Sequence, residues 1–237
     1  MTEFLVDRPI LDRSTGRRGF LGSISLGGAA LALAGCQTYP QLSLSNAIQR
    51  LLYLSSERAF DRMLQSGGFW DQQVAQLGLG GLLGARGGVL NSILTSAHFK
   101  DRLYDAFGEV AYRGAARAAP LVTDAVRVIG VRNAFDLVNG GPRAATSYLR
   151  GQMGLQLVEA MIPELGDAMR LANDPLVGQA LSALAGVDLP QVANRVAGAI
   201  DDVIWREIGN EEAEIRRDPR ATRDPVLIGV LGSGTRY

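Results

Sequence analysis

The 237-residue chain has one cysteine, one histidine, one lysine (Lys100) and few aromatics, 6% of its residues. A single cysteine excludes a disulfide framework, and one cysteine beside one histidine excludes an ordinary zinc site. The charges have no majority sign, because 24 basic and 24 acidic side chains leave a net charge of zero. That balance excludes a protein that grips nucleic acid through a large basic field, so no nucleic acid is expected as a partner. At 47% hydrophobic residues the chain is too apolar for a disordered charged tail. The uncharged stretch from Phe20 to Ala34 is too short to span a bilayer. As a helix its 15 residues rise about 22 Å, against a hydrocarbon core of about 30 Å.

The amino terminus carries an address. Arg17-Arg18-Gly19-Phe20-Leu21 leads into the apolar stretch, which ends in Leu33-Ala34-Gly35-Cys36. A charged region, a short apolar segment and small residues before a cleavage point make a signal peptide over residues 1–35. Arg17, Arg18, Phe20 and Leu21 resemble a twin-arginine export signal, and Leu33 to Cys36 resembles a lipobox, whose cysteine is acylated before the peptide is cut in front of it. The resemblance implies membrane attachment through acyl chains on Cys36, where two or three chains hold stably and one holds only marginally. Gln37 follows Cys36 in place of the aspartate that resembles an inner-membrane retention signal. The expected location is therefore the periplasm, anchored to the outer membrane in preference to the inner one.

Beyond the cysteine, residues 36–43 form a short tether and 44–231 a helical domain, with 232–237 as a tail. Alanine and leucine dominate, and strand-like alternation is scarce, so the expected fold is an all-α multi-helix bundle of seven to ten helices without significant sheet. Leu44, Ala47, Ile48, Leu51, Leu52, Ser55, Ala59 and Met63 share one helical face, which Ser43 or Ser45 can cap. Gly78 to Gly88 holds no phosphate-binding register and is read as a linker. Leu103, Phe107, Val110, Ala111 and Gly114 lie along a second helix, whose Pro120 is expected to restart or kink it. Turns are expected at Asn139-Gly140-Gly141-Pro142, at Asn173-Asp174-Pro175 and at Asp188-Leu189-Pro190. The last opens a helix with Val192, Val196, Ile200, Ile204 and Ile208 in one row.

Three constellations could carry chemistry. His98 is the one ready general base near neutral pH, with Asp101 three residues on to orient it and Ser92 or Ser96 as a nucleophile. A lone surface or capping histidine explains the same residues more simply, and no nucleophile elbow surrounds them. Glu207, Glu211, Glu214 and Asp218 form a carboxylate row, and Glu212 and Glu214 stand within reach of Arg216 and Arg217. This reads as a solvated or partner-facing acidic face with internal ion pairs, with a hard-cation site as the alternative. Arg143, Tyr148 and Arg150 follow the Gly140-Gly141-Pro142 turn at a helix start, where backbone amides favour an anionic ligand or lipid headgroup. The plainer reading has Tyr148 packing and Arg150 paired with a carboxylate of the acidic carboxy-terminal helix. Nothing calls for a cofactor or a resident metal, and no signal sets the oligomeric state.

Two segments carry a family resemblance. Pro120 to Arg150 includes a helix, the Gly140-Gly141 turn and Ala144-Ala145-Thr146-Ser147-Tyr148-Leu149-Arg150. Glu211-Glu212-Ala213-Glu214-Ile215-Arg216 runs on to Pro219 and Ala221. Both resemble the bacterial domain-of-unknown-function family 4197, over roughly residues 44–231. The resemblance implies an exported, often lipidated helical protein with no established activity. The expectation is a lipid-anchored, non-enzymatic module that binds or organises an envelope protein or lipid. The alternatives are a helical protein that encloses an apolar ligand and a metal-independent hydrolase using His98.

Overall fold

The computed structural model describes residues 40–65, 68–78, 97–171 and 189–232. Among the described residues there are eight α-helices and no strand, which makes the fold all-α. The helices are α1 (Pro40–Leu64), α2 (Phe69–Leu77), α3 (Ala97–Val128), α4 (Ala134–Val138), α5 (Ala144–Met153), α6 (Gln156–Leu171), α7 (Leu189–Arg217) and α8 (Pro225–Leu231). A 3₁₀ turn, Pro219–Thr222, joins α7 to α8. These elements belong to the compact unit Gln41–Tyr237, with α1 beginning one residue before it.

Helical periodicity in the sequence becomes burial in the fold. On α1, Ala47, Ile48, Leu51, Leu52, Ala59 and Met63 are buried, and Ser55 turns its hydroxyl back to donate to the Leu51 carbonyl. The row Val192, Val196, Ile200, Ile204 and Ile208 is likewise buried along α7. Each such side chain contributes roughly 1.5–3 kcal/mol on leaving water. α6 packs against both α3 and α7, and α5 lies on α7. Where α3, α6 and α7 meet, Gly114 stands among Ile200, Leu165 and Met161, and a Cβ there would lie 3.2 Å from Ile200 Cδ1 and 3.4 Å from Leu165 Cδ2, a tight fit.

Two expectations about helix ends are revised. α1 begins at Pro40, within the expected tether, because proline suits the first helical turn, where its missing N–H is not needed. α3 runs through Pro120 without interruption. Pro120 and Ala116 are both exposed, so water can satisfy the Ala116 carbonyl that the proline leaves without a donor. Gly68, at φ 76°, takes the left-handed conformation immediately before α2. The linker residues 79–88 and the Asn173-Asp174-Pro175 junction lie outside the described residues.

Candidate functional site

The sequence motifs meet where α5 crosses the carboxy-terminal half of α7. The first turn of α5 exposes backbone N–H groups with no partner inside the helix. The Glu212 carboxylate, fully buried on α7, accepts from Ala145 N at 3.0 Å and from Thr146 N at 2.7 Å. It therefore caps α5 from another helix and places its charge at the positive end of the dipole. Arg216, one turn on, donates Nε to Glu212 at 2.7 Å. Its other two nitrogens donate to the carbonyls of Leu137 at 2.7 Å and Val138 at 2.9 Å, in the last turn of α4. One ion pair thus closes the end of α4 and the start of α5 together.

Arg143, Tyr148 and Arg150 do not converge on a ligand position. Arg143 donates to Asn210 Oδ1 at 2.6 Å, and its side chain lies across Gly209, where a Cβ would come within 3.0 Å of Cδ. Tyr148 donates its hydroxyl to the Gly130 carbonyl at 2.7 Å, tying α5 to the segment that leaves α3. Arg150 reaches Asp201 at 2.9 Å and Asp202 at 2.5 Å, both on α7. Asp201 is buried and also accepts from the Trp205 indole at 2.8 Å. Burial raises the Asp201 carboxyl above its ordinary range, outweighing Arg150 and Trp205, which act to lower it. The amides that could have held an anion are already taken by Glu212.

The acidic face of α7 divides in two. Glu207 and Glu211 are buried rather than solvated, because Arg62 of α1 reaches both. Glu207 also accepts from Asn210 at 3.3 Å. Arg62 supplies there the positive charge that a hard cation would bring, and among the described residues no cluster of three or more metal-ligating side chains is present. Glu214 remains exposed and pairs with Arg217 at 2.8 Å. Asp218 precedes the 3₁₀ turn, and its N–H donates to the Glu214 carbonyl.

Just past the carboxy-terminal end of α7, Asp224 caps α8, accepting from Val226 N at 2.8 Å and Leu227 N at 3.1 Å, and receives Arg50 of α1 at 2.5 Å. Burial alone would raise this carboxyl; Arg50 and the two amides outweigh it and leave it below its ordinary range. Arg62, Asp201 and Asp224 were not singled out in the sequence. The local signals available were the spacing of four between Asp201 and Trp205 and the Asp224-Pro225 pair, a capping residue followed by proline at a helix start.

Open grooves lined by described residues mark the surface, three of them near the elements above. One, of about 640 Å³, lies between the α1–α2 turn and α3 and includes Trp70, Asp71, Asp105 and Tyr112. A second, of about 630 Å³, runs between α1, the end of α3 and the start of α8. The third, of about 540 Å³, separates the end of α3 from the α5–α6 turn. His98 lies in the first turn of α3 and Asp101 is exposed, while the His98 side chain is outside the described set. Ser92, Ser96, Cys36, Arg17, Arg18, Phe20 and Leu21 also lie outside the described residues.

The Gly140-Gly141 turn and the Glu212–Arg216 pair both fall within the residues that the family comparison covers. The chain belongs to the family described as protein of unknown function (DUF4197), whose model matches residues 38–232. No curated protein and no solved structure matches the chain.

Proposed function

We propose that this is a lipid-anchored periplasmic protein whose helical domain acts as a non-enzymatic binding or envelope-organising module. The observation that carries this reading is the place of the sole cysteine. Cys36 ends Leu33-Ala34-Gly35-Cys36 and stands four residues ahead of Pro40, where α1 begins. Among the described residues no helix is long and apolar enough to cross a membrane, so acyl chains would be the means of attachment for this domain. The use of the buried charges supports a binding or structural role. Glu207, Glu211, Glu212 and Asp201 each meet a partner from another helix and serve to hold the bundle together.

The test is an intact mass of the mature protein from a Gram-negative host with a twin-arginine pathway, alongside Cys36→Ala, with fractionation of both membranes. The expected result is a chain beginning at Cys36 with two or three acyl chains, recovered with the outer membrane, and loss of both features in the variant. An unprocessed soluble chain would overturn the reading.

A further inference from the structure

The exposed large hydrophobic side chains of the described residues are unevenly placed. Val128 is 83% exposed, Phe135 67%, Leu155 67% and Tyr53 45%. These are the four most exposed, ahead of Tyr112 at 39% and Leu77 at 38%, and each lies in, or next in the chain to, an element at the carboxy-terminal end of α3. Val128 lines the groove that Met153 and Gln156 close on the far side, and Leu155 lies between those two in the chain. Phe135 is in α4, the short helix that follows α3. Tyr53 lines the neighbouring groove with Val126 and Arg127. Burying such side chains would gain roughly 1–2 kcal/mol each, enough to matter collectively and too little to bind unaided.

This end of the bundle is also the end at which α1 starts. Gln49 donates to the Ile129 carbonyl and Arg50 meets Asp224, so the amino-terminal half of α1 lies beside the end of α3 and the start of α8. In the opposite direction, Leu64 and Gln65 line a groove with Asp105, Glu109 and Tyr112, near the start of α3. α1 and α3 therefore run antiparallel. Cys36 stands four positions before Pro40, a reach of at most about 14 Å. An anchor at Cys36 would keep the Val128 end near the bilayer and hold the acidic groove away from it.

We propose that the surface formed by Val128, Phe135 and Leu155 around the end of α3 rests on the lipid surface to which Cys36 is anchored, which fixes the orientation of the domain. This rests on the lipid-anchor reading above. Charge does not dominate the contact, because Arg50 is matched by Asp224 and Arg127 by Asp124, and the exposed Arg132 and Asp136 that flank Phe135 carry opposite charges. Docking should therefore be as strong on zwitterionic as on anionic bilayers. The tether supplies high effective concentration, so a weak apolar contact becomes persistent.

Acylation of Cys36 would leave no free thiol in the mature chain, so single cysteines can report the contact. The full chain carrying Val128→Cys, Leu155→Cys or, as a control, Asp105→Cys is purified in its mature form, and its intact mass is read. Each is labelled with an environment-sensitive fluorophore and reconstituted in phosphatidylethanolamine and phosphatidylcholine vesicles, with and without a spin-labelled quencher lipid. Far-ultraviolet dichroism and melting check that each variant is folded. The expected result is a blue shift and at least twofold quenching at positions 128 and 155, with little at 105, unchanged when phosphatidylglycerol is added. An acylated protein with equal or absent quenching at all three positions overturns the orientation and leaves the anchor standing. A blue shift at 128 without lipid quenching overturns it too, and shows that protein covers this face. A mass without acyl chains overturns the anchor and, with it, the orientation.

Discussion

Glu212 and Arg216 form a buried ion pair whose two ends close two different helices: the carboxylate caps the start of α5, and the guanidinium caps the end of α4. A pair buried in this way is a matter of arrangement more than of net attraction, since desolvating both charges offsets much of what they gain. Removing one partner strands the other.

Glu212→Ala is expected to lose about 3–5 kcal/mol of stability, because it leaves Arg216 uncompensated and two N–H groups of α5 without acceptors. For a domain of this size that is a fall of roughly 10 °C in Tm. Glu212→Gln keeps an acceptor and should lose distinctly less. Urea unfolding of the three proteins checks the order. Equal stability of Glu212→Ala and the wild type would remove the pair from the account of the fold.

Two carboxylates should bend the pH dependence of stability in opposite directions. Asp224 is lowered in the folded state, so its contribution is present above its unfolded value, about 3.9, and is lost as the pH falls through the folded one. Asp224→Ala should remove about 1 kcal/mol at neutral pH, chiefly the cap, because Arg50 is half exposed and its pairing is screened by solvent. The variant should also flatten the acid limb of the stability curve. Thermal melts from pH 2.5 to 7 read both effects.

Asp201 is raised, so the folded state favours its protonated form. Its contribution is fully present below the unfolded value and diminishes as the pH rises toward the folded one. Asp201→Asn can still accept from Trp205 and should gain relative to the wild type across that window. Melting both proteins between pH 3 and 7 tests the sign, and a gap that closes with rising pH would refute it.

Gly114→Leu places a branched side chain where Ile200, Leu165 and Met161 already lie within van der Waals reach of a bare Cβ. Overpacking at a crossing of three helices should cost at least about 1–3 kcal/mol, despite the better helix propensity of leucine. A calorimetric melt would show it as a lower Tm, and an unchanged one would mean that the crossing can open.

Much of this fold was legible in the sequence, because helical periodicity and burial are two views of the same geometry. The row from Val192 to Ile208 and the face from Ala47 to Met63 gave α7 and α1 directly. Pro120 does not restart the helix, because the cost of a proline depends on whether water reaches the preceding turn, and sequence does not record that. The acidic face shows the same limit. Glu211 and Glu212 are neighbours in sequence, yet about 100° of helical rotation sends one to Arg62 on α1 and the other to the amides of α5. Periodicity places a charge on a face, and only tertiary packing decides which partner that face meets. The pairing of Arg150 with a carboxylate of α7 is the plainer of the two readings the sequence offers, while the particular aspartates, Asp201 and Asp202, are not legible in it.

The cap on α5 has a consequence for how the chain is made. The acceptor for Ala145 N lies 67 residues downstream, at Glu212. A ribosome emits the chain from its amino terminus, so the start of α5 waits uncapped until almost all of α7 has been translated. A late-made helix therefore acts as the clasp of the middle of the protein, and a transcript truncated before Glu212 would yield a chain whose central turn is left unfastened.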